Sequence, residues 1–304
     1  MVFTPEAAAD AVSAMKQVAD PVTDADRITI QAAWHYLYGQ QTPLNVDFLP
    51  AFDPTAITDP AQKELIAQAC AIMPFVDGKL NTEKEKRAVE IAQSLGIHEQ
   101  FVQVLMELAN HHLHAVIGCM IRENMISLND GPMPDEDTMQ FFLPYRDKPD
   151  PAFAARHEAL AQLPVGTLGR EYHAFYKRNQ FAFPGEPNGL CIEFAHPHDT
   201  THLLSGYDTD PHGELLVSTF TAGMHPLNPI EGHILPVIFS WHLGIKLNDI
   251  AKSTTGAFDP KDFWKAWSRG RQVTTDVFQK DWDFWSACER PLTELREEYG
   301  VPPE

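Results

Sequence analysis

The pentapeptide His-Asp-Thr-Thr-His at residues 198–202, followed by Glu214, is the stretch from which this fold is best predicted. On an α-helix, residues four apart lie one turn apart on the same face, so His198 and His202 can direct both imidazoles at one point. Asp199 lies three residues before His202 and borders that face. The stretch therefore predicts a helix with two imidazoles and a carboxylate along one side.

The residues after this helix predict a tight turn and a second helix. Gly206 and Pro211 end the first helix, because Gly is conformationally permissive and Pro cannot continue the hydrogen-bond ladder. Asp210 caps the second helix, Pro211 takes its first position, and Glu214 falls in its first turn. The two helices then bring two imidazoles and one or two carboxylates together. This set of side chains is typical of a binding site for a divalent metal ion. The alternative is a hydrogen-bonded His/Asp/Glu cluster that holds the two helices together.

His-Asp-x-x-His, eleven further residues and Glu resembles the signature of the coenzyme Q biosynthesis protein 4 family, and the resemblance covers about residues 150–304. Flanking segments agree with that family as well: Leu168–Tyr172, Gly206-Tyr207, Gly213–Leu215, Ala266–Arg271, Asp281-Trp282 and Pro291–Arg296. The resemblance implies a role in ubiquinone biosynthesis. It also implies binding of a polyprenylated aromatic intermediate, with oxidative decarboxylation at ring carbon one as the attached activity.

Imidazole and carboxylate ligands suit zinc, manganese or iron, and we expect zinc. Three protein ligands leave open positions, which is typical of a catalytic or ligand-binding site. We predict that His198, His202 and Glu214 bind the ion. Asp199 either binds it directly or orients an imidazole.

Two further sets of residues are candidates for contact with the lipid. Guanidinium groups pair well with a headgroup carboxylate or a prenyl phosphate. The candidates are Arg170, Arg269 and Arg271, each of which could instead pair with one of the chain's own carboxylates. Bulky apolar residues after the motif are candidates for an isoprenoid-binding tunnel, although helices also bury such residues as plain core. These are Phe220, Trp264 and Trp267.

Two functions from different classes stay open. The first is a metal-dependent enzyme acting on a quinone-ring precursor, which the intact ligand set favours. The second is a non-catalytic binder of prenyl lipids or a scaffold for other quinone-biosynthesis proteins, favoured by the absence of a further conspicuous acid/base group. A phosphohydrolase of the HD type would need an additional upstream His and a distant Asp, and the spacing fits it less well. A homo-oligomer is compatible with either function.

Composition limits the partners and the compartment. The 304 residues carry 23 Lys and Arg against 42 Asp and Glu, a net charge of −19. This charge argues against nucleic acid and against electrostatic docking on anionic lipid, but leaves apolar membrane contact open. The amino terminus lacks the pattern of a signal peptide, and the most apolar run, Ile234–Leu243, is too short to span a bilayer. We expect a cytoplasmic protein, with peripheral membrane association left open.

The chain divides into an amino-terminal helical domain at 1–128, a linker rich in Pro and Asp at 129–151, and a second helical domain at 152–304. The block at about 60–125 resembles the tellurite-resistance TerB-like helical domain in its order of helix, Asp-Gly turn and Glu-rich helix. The turn is Asp77-Gly78, and Asn81 or Thr82 caps the helix that follows.

Every periodic segment is helical, so the predicted fold class is all-α. The sequence also predicts where three of the helices begin and end. One helix runs from His98 to about Ile121, a second covers 230–248 and is kinked at Pro236, and a long third helix starts at Pro260 and includes Phe278. His111 and His114 would share a face of the first of these. A surface or partly buried histidine cluster is favoured there over a metal site.

Overall fold

The computed structural model describes residues 3–129, 138–247 and 252–303, and these residues form an all-α protein with two isolated β-bridges and no strand. Within those ranges, no helix combines the length and the apolar character needed to cross a bilayer. The helices are α1 (Pro5–Ala19), α2 (Asp24–Ala32), α3 (Pro60–Ile72), α4 (Thr82–Ser94), α5 (Gln100–Ala109), α6 (Leu113–Asn129), α7 (Thr138–Phe142), α8 (Pro151–Glu158), α9 (Leu168–Asn179), α10 (Ile192–Ser205), α11 (Pro211–Met224), α12 (Leu235–Val237), α13 (Pro260–Gly270), α14 (Phe284–Ala287) and α15 (Leu292–Glu298). Short 3₁₀ and π-helical turns lie between them.

The predicted cap of α4 is confirmed, with Asn81 in the capping position. Its side chain accepts a hydrogen bond from the backbone N–H of Lys84, and the Glu85 carboxylate accepts one from the N–H of Asn81. These reciprocal bonds satisfy N–H groups that a helix start leaves without partners. Thr82, the alternative cap, is instead the first residue of the helix.

The single helix predicted from His98 to Ile121 is wrong, because the chain breaks between α5 and α6. His111 has a φ of 66°, in the left-handed region, and its N–H bonds to the carbonyl of Leu108. His112 is exposed, with Nδ1 2.6 Å from Oε2 of Glu107. His111 and His114 are exposed too, so the surface interpretation of this cluster is confirmed, but the two residues do not share a helical face.

Helices from the two predicted domains pack against one another. Nε1 of Trp264 on α13 donates to the carbonyl of Thr29 on α2 at 3.1 Å. Nδ2 of Asn124 on α6 donates to the carbonyl of Gly232 at 2.7 Å. One continuous apolar core includes buried residues of both halves. Residues 130–137 of the predicted linker lie outside the described residues, and the division at 129–151 stays a prediction.

Helices α11 and α13 cross at two glycines. A Cβ on Gly270 would lie 2.0 Å from the carbonyl oxygen of Phe220, and one on Gly223 would lie 2.5 Å from that of Trp267. Only glycine permits this approach of the two backbones. The prediction that α13 continues to Phe278 is wrong, since the helix ends at Gly270. The crossing fixes α11, the helix that carries Glu214.

The segment predicted as one kinked helix at 230–248 is helical without interruption from Pro229 to His242. π-Helical turns at Pro229–Ile234 and Ile238–His242 flank α12, which contains Pro236. Proline removes a backbone donor and disturbs the regular ladder, which is consistent with the π-helical turns on either side of it. The helical residues end at His242, before the predicted end at residue 248, and residues 248–251 lie outside the described residues.

Candidate metal centre

Helices α10 and α11 form the predicted helix–turn–helix. Gly206, with a φ of 88°, closes α10 in a left-handed conformation that costs glycine little. The Asp210 carboxylate accepts a hydrogen bond from the N–H of Gly213 at 2.8 Å, and Pro211 is the first residue of α11. The turn brings the start of α11 beside the imidazoles of α10.

Three of the predicted ligands converge. Nε2 of His198 lies 3.8 Å from Oε2 of Glu214, and Nε2 of His202 lies 3.6 Å from Oε1. One ligand atom from each of the three residues lies within 4.8 Å of the others. His202 is almost fully buried, whereas the Glu214 side chain is 20% exposed. The cluster is therefore reachable from its carboxylate side.

His202 presents an unpartnered nitrogen to this cluster. Its Nδ1 lies 2.9 Å from the carbonyl oxygen of Tyr207, so Nδ1 carries the proton and Nε2 carries a lone pair. Nε2 is buried and has no hydrogen-bond partner among the described residues. Burying such an atom unpaired costs about 1–3 kcal/mol. A metal ion at Nε2 would remove that cost, so the donor set fits a divalent ion.

Asp199 holds the second imidazole in place. Its Oδ1 lies 3.0 Å from Nδ1 of His198, and its Oδ2 accepts a hydrogen bond from the hydroxyl of Tyr176 at 2.5 Å. The hydroxyl of Tyr172 donates to that of Tyr176 at 2.8 Å. With both carboxylate oxygens engaged, Asp199 has the geometry of a residue that orients an imidazole rather than of a direct ligand.

The buried environment alters the pKa of each group in the cluster. Burial lowers the pKa of His202 to about 4 and raises the pKa of Glu214 to about 7. Burial also lowers the pKa of His198, but the hydrogen bond that its Nδ1–H donates to Asp199 and the charge of Glu214 outweigh it, and the net change is upward. A metal ion requires deprotonated ligands, so its binding would displace protons from these groups.

A largely apolar cavity of about 200 Å³ adjoins the cluster, with His198 and Glu214 in its wall. Helix α6 supplies Met120, Ile121 and Leu128 to its lining, and the second half of the chain supplies residues that include Phe194, Val237 and Trp241. The contribution of α6 was missed by the sequence analysis. The apolar face of α6 is visible in the sequence, but nothing local indicates that it packs over the motif.

The three apolar ligand candidates lie in the protein core. Phe220, Trp264 and Trp267 are each at most 1% exposed, and the two indoles stack with ring centroids 5.4 Å apart. They belong to helices α11 and α13, and α13 packs against α2 through the Trp264–Thr29 hydrogen bond. None of them is among the residues that line the cavity.

The three arginine candidates also lie outside the cavity lining. Arg269 is 5% exposed, and its guanidinium donates to the carbonyls of Ser205 and Pro302. Arg170 is half-buried on α9, and Arg271 is exposed just beyond α13. Arg269 therefore supports the carboxyl end of α10, the helix that carries His198 and His202.

Comparison with known proteins does not assign this chain to a family. No family model matches the chain, and no curated protein matches it. Among solved structures, it is similar to the crystal structure of a proposed ubiquinone biosynthesis protein from Nostoc punctiforme. The match has 20% identity and a TM-score of 0.34 and covers 80% of this chain and 99% of that chain. At this level of similarity nothing about the site or the activity of this chain follows.

Proposed function

We propose that this protein binds a divalent metal ion, zinc by preference, and a prenylated aromatic precursor of a quinone. His198, His202 and Glu214 would hold the ion, and Asp199 and the carbonyl of Tyr207 would orient the two imidazoles. The observation that carries the proposal is the unpartnered Nε2 of His202, buried beside a second imidazole and a carboxylate. A divalent ion in such a site polarises a ring hydroxyl or carboxylate, or activates water.

The cavity beside the cluster supports this choice of ligand class. Its wall is mainly aliphatic and aromatic, which suits a hydrocarbon, and two of the predicted metal ligands form its polar edge. Pockets for drug-sized ligands measure roughly 300–1,000 Å³. A cavity of about 200 Å³ therefore suits an aromatic ring and the first part of a tail. The signature shared with the coenzyme Q biosynthesis protein 4 family points to the same ligand class.

The carrier or scaffold function remains the second candidate, and one observation favours it. Besides the metal cluster, His233 is the titratable side chain among the described residues that line the cavity. Burial lowers its pKa to about 3, and its Nε2 lies 2.7 Å from the hydroxyl of Ser127. Proton transfer would then depend on the metal cluster alone, whereas binding needs no acid or base.

The test uses a prenylated hydroxybenzoate with oxygen present. Wild type is compared with Glu214→Gln and with Glu193→Gln, an exposed carboxylate on α10 outside the cavity lining. Carbon dioxide release by wild type and Glu193→Gln, but not by Glu214→Gln, would establish the enzyme. Binding of the lipid by all three proteins without conversion would establish the carrier. Absence of binding to wild type would overturn the ligand class.

A further inference from the structure

The cavity beside the metal cluster has a second histidine in its wall. His233 lies in the π-helical turn Pro229–Ile234 and lines the cavity together with His198. It is not one of the predicted metal ligands. Its two ring nitrogens have different surroundings, and these decide what the imidazole presents to a molecule in the cavity.

Ser127 on α6 occupies one of the two nitrogens. Its Oγ lies 2.7 Å from Nε2 of His233, and both residues are buried. Buried threonines on other helices, such as Thr201 and Thr219, donate to the carbonyl four residues earlier. Among residues 3–129, 138–247 and 252–303, the hydroxyl of Ser127 instead has Nε2 of His233 as its one hydrogen-bond partner.

The proton of this hydrogen bond belongs to Ser127. If Nε2 of His233 carried it, the buried hydroxyl would accept, and its own proton would have no acceptor in the described part of the chain. Burial also lowers the pKa of His233 to about 3, so the ring is neutral near pH 7 and carries one proton. With Nε2 as the acceptor, that proton is on Nδ1.

Nδ1 of His233 faces open space in the cavity. It makes no hydrogen bond to any residue that the structure describes, yet it is not among the buried nitrogens that those residues enclose completely, as they enclose Nε2 of His225. His233 itself lines the cavity and is 6% exposed. The Nδ1–H group is therefore a hydrogen-bond donor that a molecule in the cavity can reach.

Helix α6 holds this imidazole in place through two residues three apart. Ser127 binds the ring, and Nδ2 of Asn124 donates to the carbonyl of Gly232, the residue before His233, at 2.7 Å. The ring of Phe278 lies edge-to-face, with its centroid 5.6 Å from that of His233. A donor held in this way is oriented before a ligand arrives, so little of its binding free energy is lost to ordering the side chain.

We propose that the Nδ1–H group of His233, oriented by Ser127, binds an acceptor oxygen of the ligand in this cavity: a carbonyl, carboxylate or phenolate oxygen. A neutral imidazole donates such a hydrogen bond without giving up its proton, so the role is recognition and polarisation of the oxygen rather than acid–base catalysis. The ligand then presents one oxygen to the metal cluster and another to His233. The inference rests on the proposed function in placing an aromatic ligand in the cavity, whereas the hydrogen bond does not need the metal.

The test compares acetophenone with α-methylstyrene, two probes of nearly the same shape in which a carbonyl oxygen replaces a methylene group. Kd is measured for both probes with the full chain, and the ratio of the two values isolates the contribution of the oxygen. His233→Phe keeps an aromatic ring and removes the donor. His212→Phe, the matched control, removes a partly exposed imidazole outside the cavity lining. We expect the ratio to shift against acetophenone about tenfold, or about 1.4 kcal/mol, in His233→Phe and to stay unchanged in His212→Phe.

Nitrogen NMR of wild type labelled on histidine reads the tautomer directly, which covers the case in which His233→Phe does not fold. The His233 resonances are assigned from the contact of this ring with Phe278. We expect the proton on Nδ1, and a shift of that nitrogen on addition of acetophenone but not of α-methylstyrene. Ser127→Ala, which removes the partner of Nε2, should mix the two tautomers. A proton on Nε2 in wild type would overturn the inference, as would an unchanged ratio in folded His233→Phe.

Removal of divalent metal with a chelator separates this site from the metal cluster. The ratio should be the same before and after chelation, and its dependence on His233 in metal-free protein would support the inference even if the metal centre failed its own test. Loss of the preference for acetophenone on chelation would assign the oxygen to the metal cluster and overturn this inference, but not the proposed function. Failure of wild type to bind either probe would overturn both the proposed ligand class and this inference.

Discussion

Nδ1 of His202 lies 2.9 Å from the carbonyl oxygen of Tyr207, five residues further along the chain. The turn after α10 thus fixes the tautomer of an imidazole within α10. Gly206 permits the turn, and the guanidinium of Arg269 donates to the carbonyl of Ser205 just before it. The residues between the two helices therefore orient the candidate metal ligand as well as connect the helices.

Asp199→Asn should weaken metal binding without unfolding the protein. The substitution keeps the size of the side chain but removes the negative charge that faces Nδ1 of His198. Loss of such a partner of a metal-binding imidazole lowers metal affinity by roughly 10–100-fold. Competition with a chromogenic chelator measures the change. Asp262→Asn, which alters the carboxylate beside His212, is the matched control, and equal affinities for the two variants would contradict the orienting role.

Lys84→Met should destabilise the amino-terminal half strongly. The ammonium group of Lys84 lies 2.7 Å from Oδ1 of Asp26 and 2.5 Å from Oδ2 of Asp77, and the side chains of Lys84 and Asp26 are at most 4% exposed. Removing one partner of a buried ion pair costs about 3–5 kcal/mol, because a carboxylate is left uncompensated. Urea unfolding measures the loss.

The exposed pair of Lys86 and Glu83 provides the control for that experiment. Lys86→Met should change the free energy of unfolding by less than about 1 kcal/mol, since water already screens an exposed pair. Equal effects of Lys84→Met and Lys86→Met would show that the buried ammonium group does not stabilise the fold.

Stability should fall on acidification because two buried imidazoles resist protonation. Burial lowers the pKa of His157 to about 4 and that of His196 to about 3, and their Nε2 atoms lie 3.0 Å apart. The unfolded chain, with histidine pKa values of about 6.5, binds protons that the folded chain does not. This stabilising contribution is complete above pH 6.5 and is lost progressively as the pH falls, to about 4 for His157 and to about 3 for His196.

Replacing one imidazole tests this assignment. His157→Phe keeps an aromatic ring beside Phe153 and Trp285 and removes one titrating group. Between pH 6 and 5, the loss of unfolding free energy should be smaller than in wild type by up to about 1.4 kcal/mol per pH unit. Urea unfolding across this range measures it, and identical slopes would assign the acid sensitivity to other groups.

Several features of the fold and site could be predicted because they depend on local chemistry. The cap at Asn81, the turn at Gly206 and the start of α11 at Pro211 each follow from the conformational preference of one residue. Spacing along α10 likewise predicts that His198 and His202 face the same way. These interactions extend over a few residues, so the sequence alone contains the information.

The features that could not be predicted depend on contacts between distant segments. The end of α13 at Gly270 coincides with a backbone contact to Phe220 on another helix. The break at His111 requires a left-handed residue where no glycine or proline marks it. Trp264 packs against Thr29 in the amino-terminal half, whereas periodicity shows only that this side chain is buried, not against which segment.

Limited proteolysis should cut the chain in the exposed stretch Arg146–Asp150, within the predicted linker, yet leave the fragments associated. The shared core and the hydrogen bonds Trp264–Thr29 and Asn124–Gly232 hold the two halves together. Size-exclusion chromatography of the nicked protein under native conditions checks this. Two separate peaks would show that the halves are independent, and cleavage confined to residues 60–125 would refute the predicted linker.

The most direct test of the central claim is native mass spectrometry with elemental analysis of wild type, His202→Ala and His111→Ala. His202 contributes the unpartnered Nε2 to the cluster, whereas His111 is exposed in the turn between α5 and α6. We expect one divalent ion per chain in wild type and in His111→Ala, and a sharp loss in His202→Ala. Equal metal content in all three proteins, or no divalent ion in wild type, would contradict a metal centre formed by His198, His202 and Glu214.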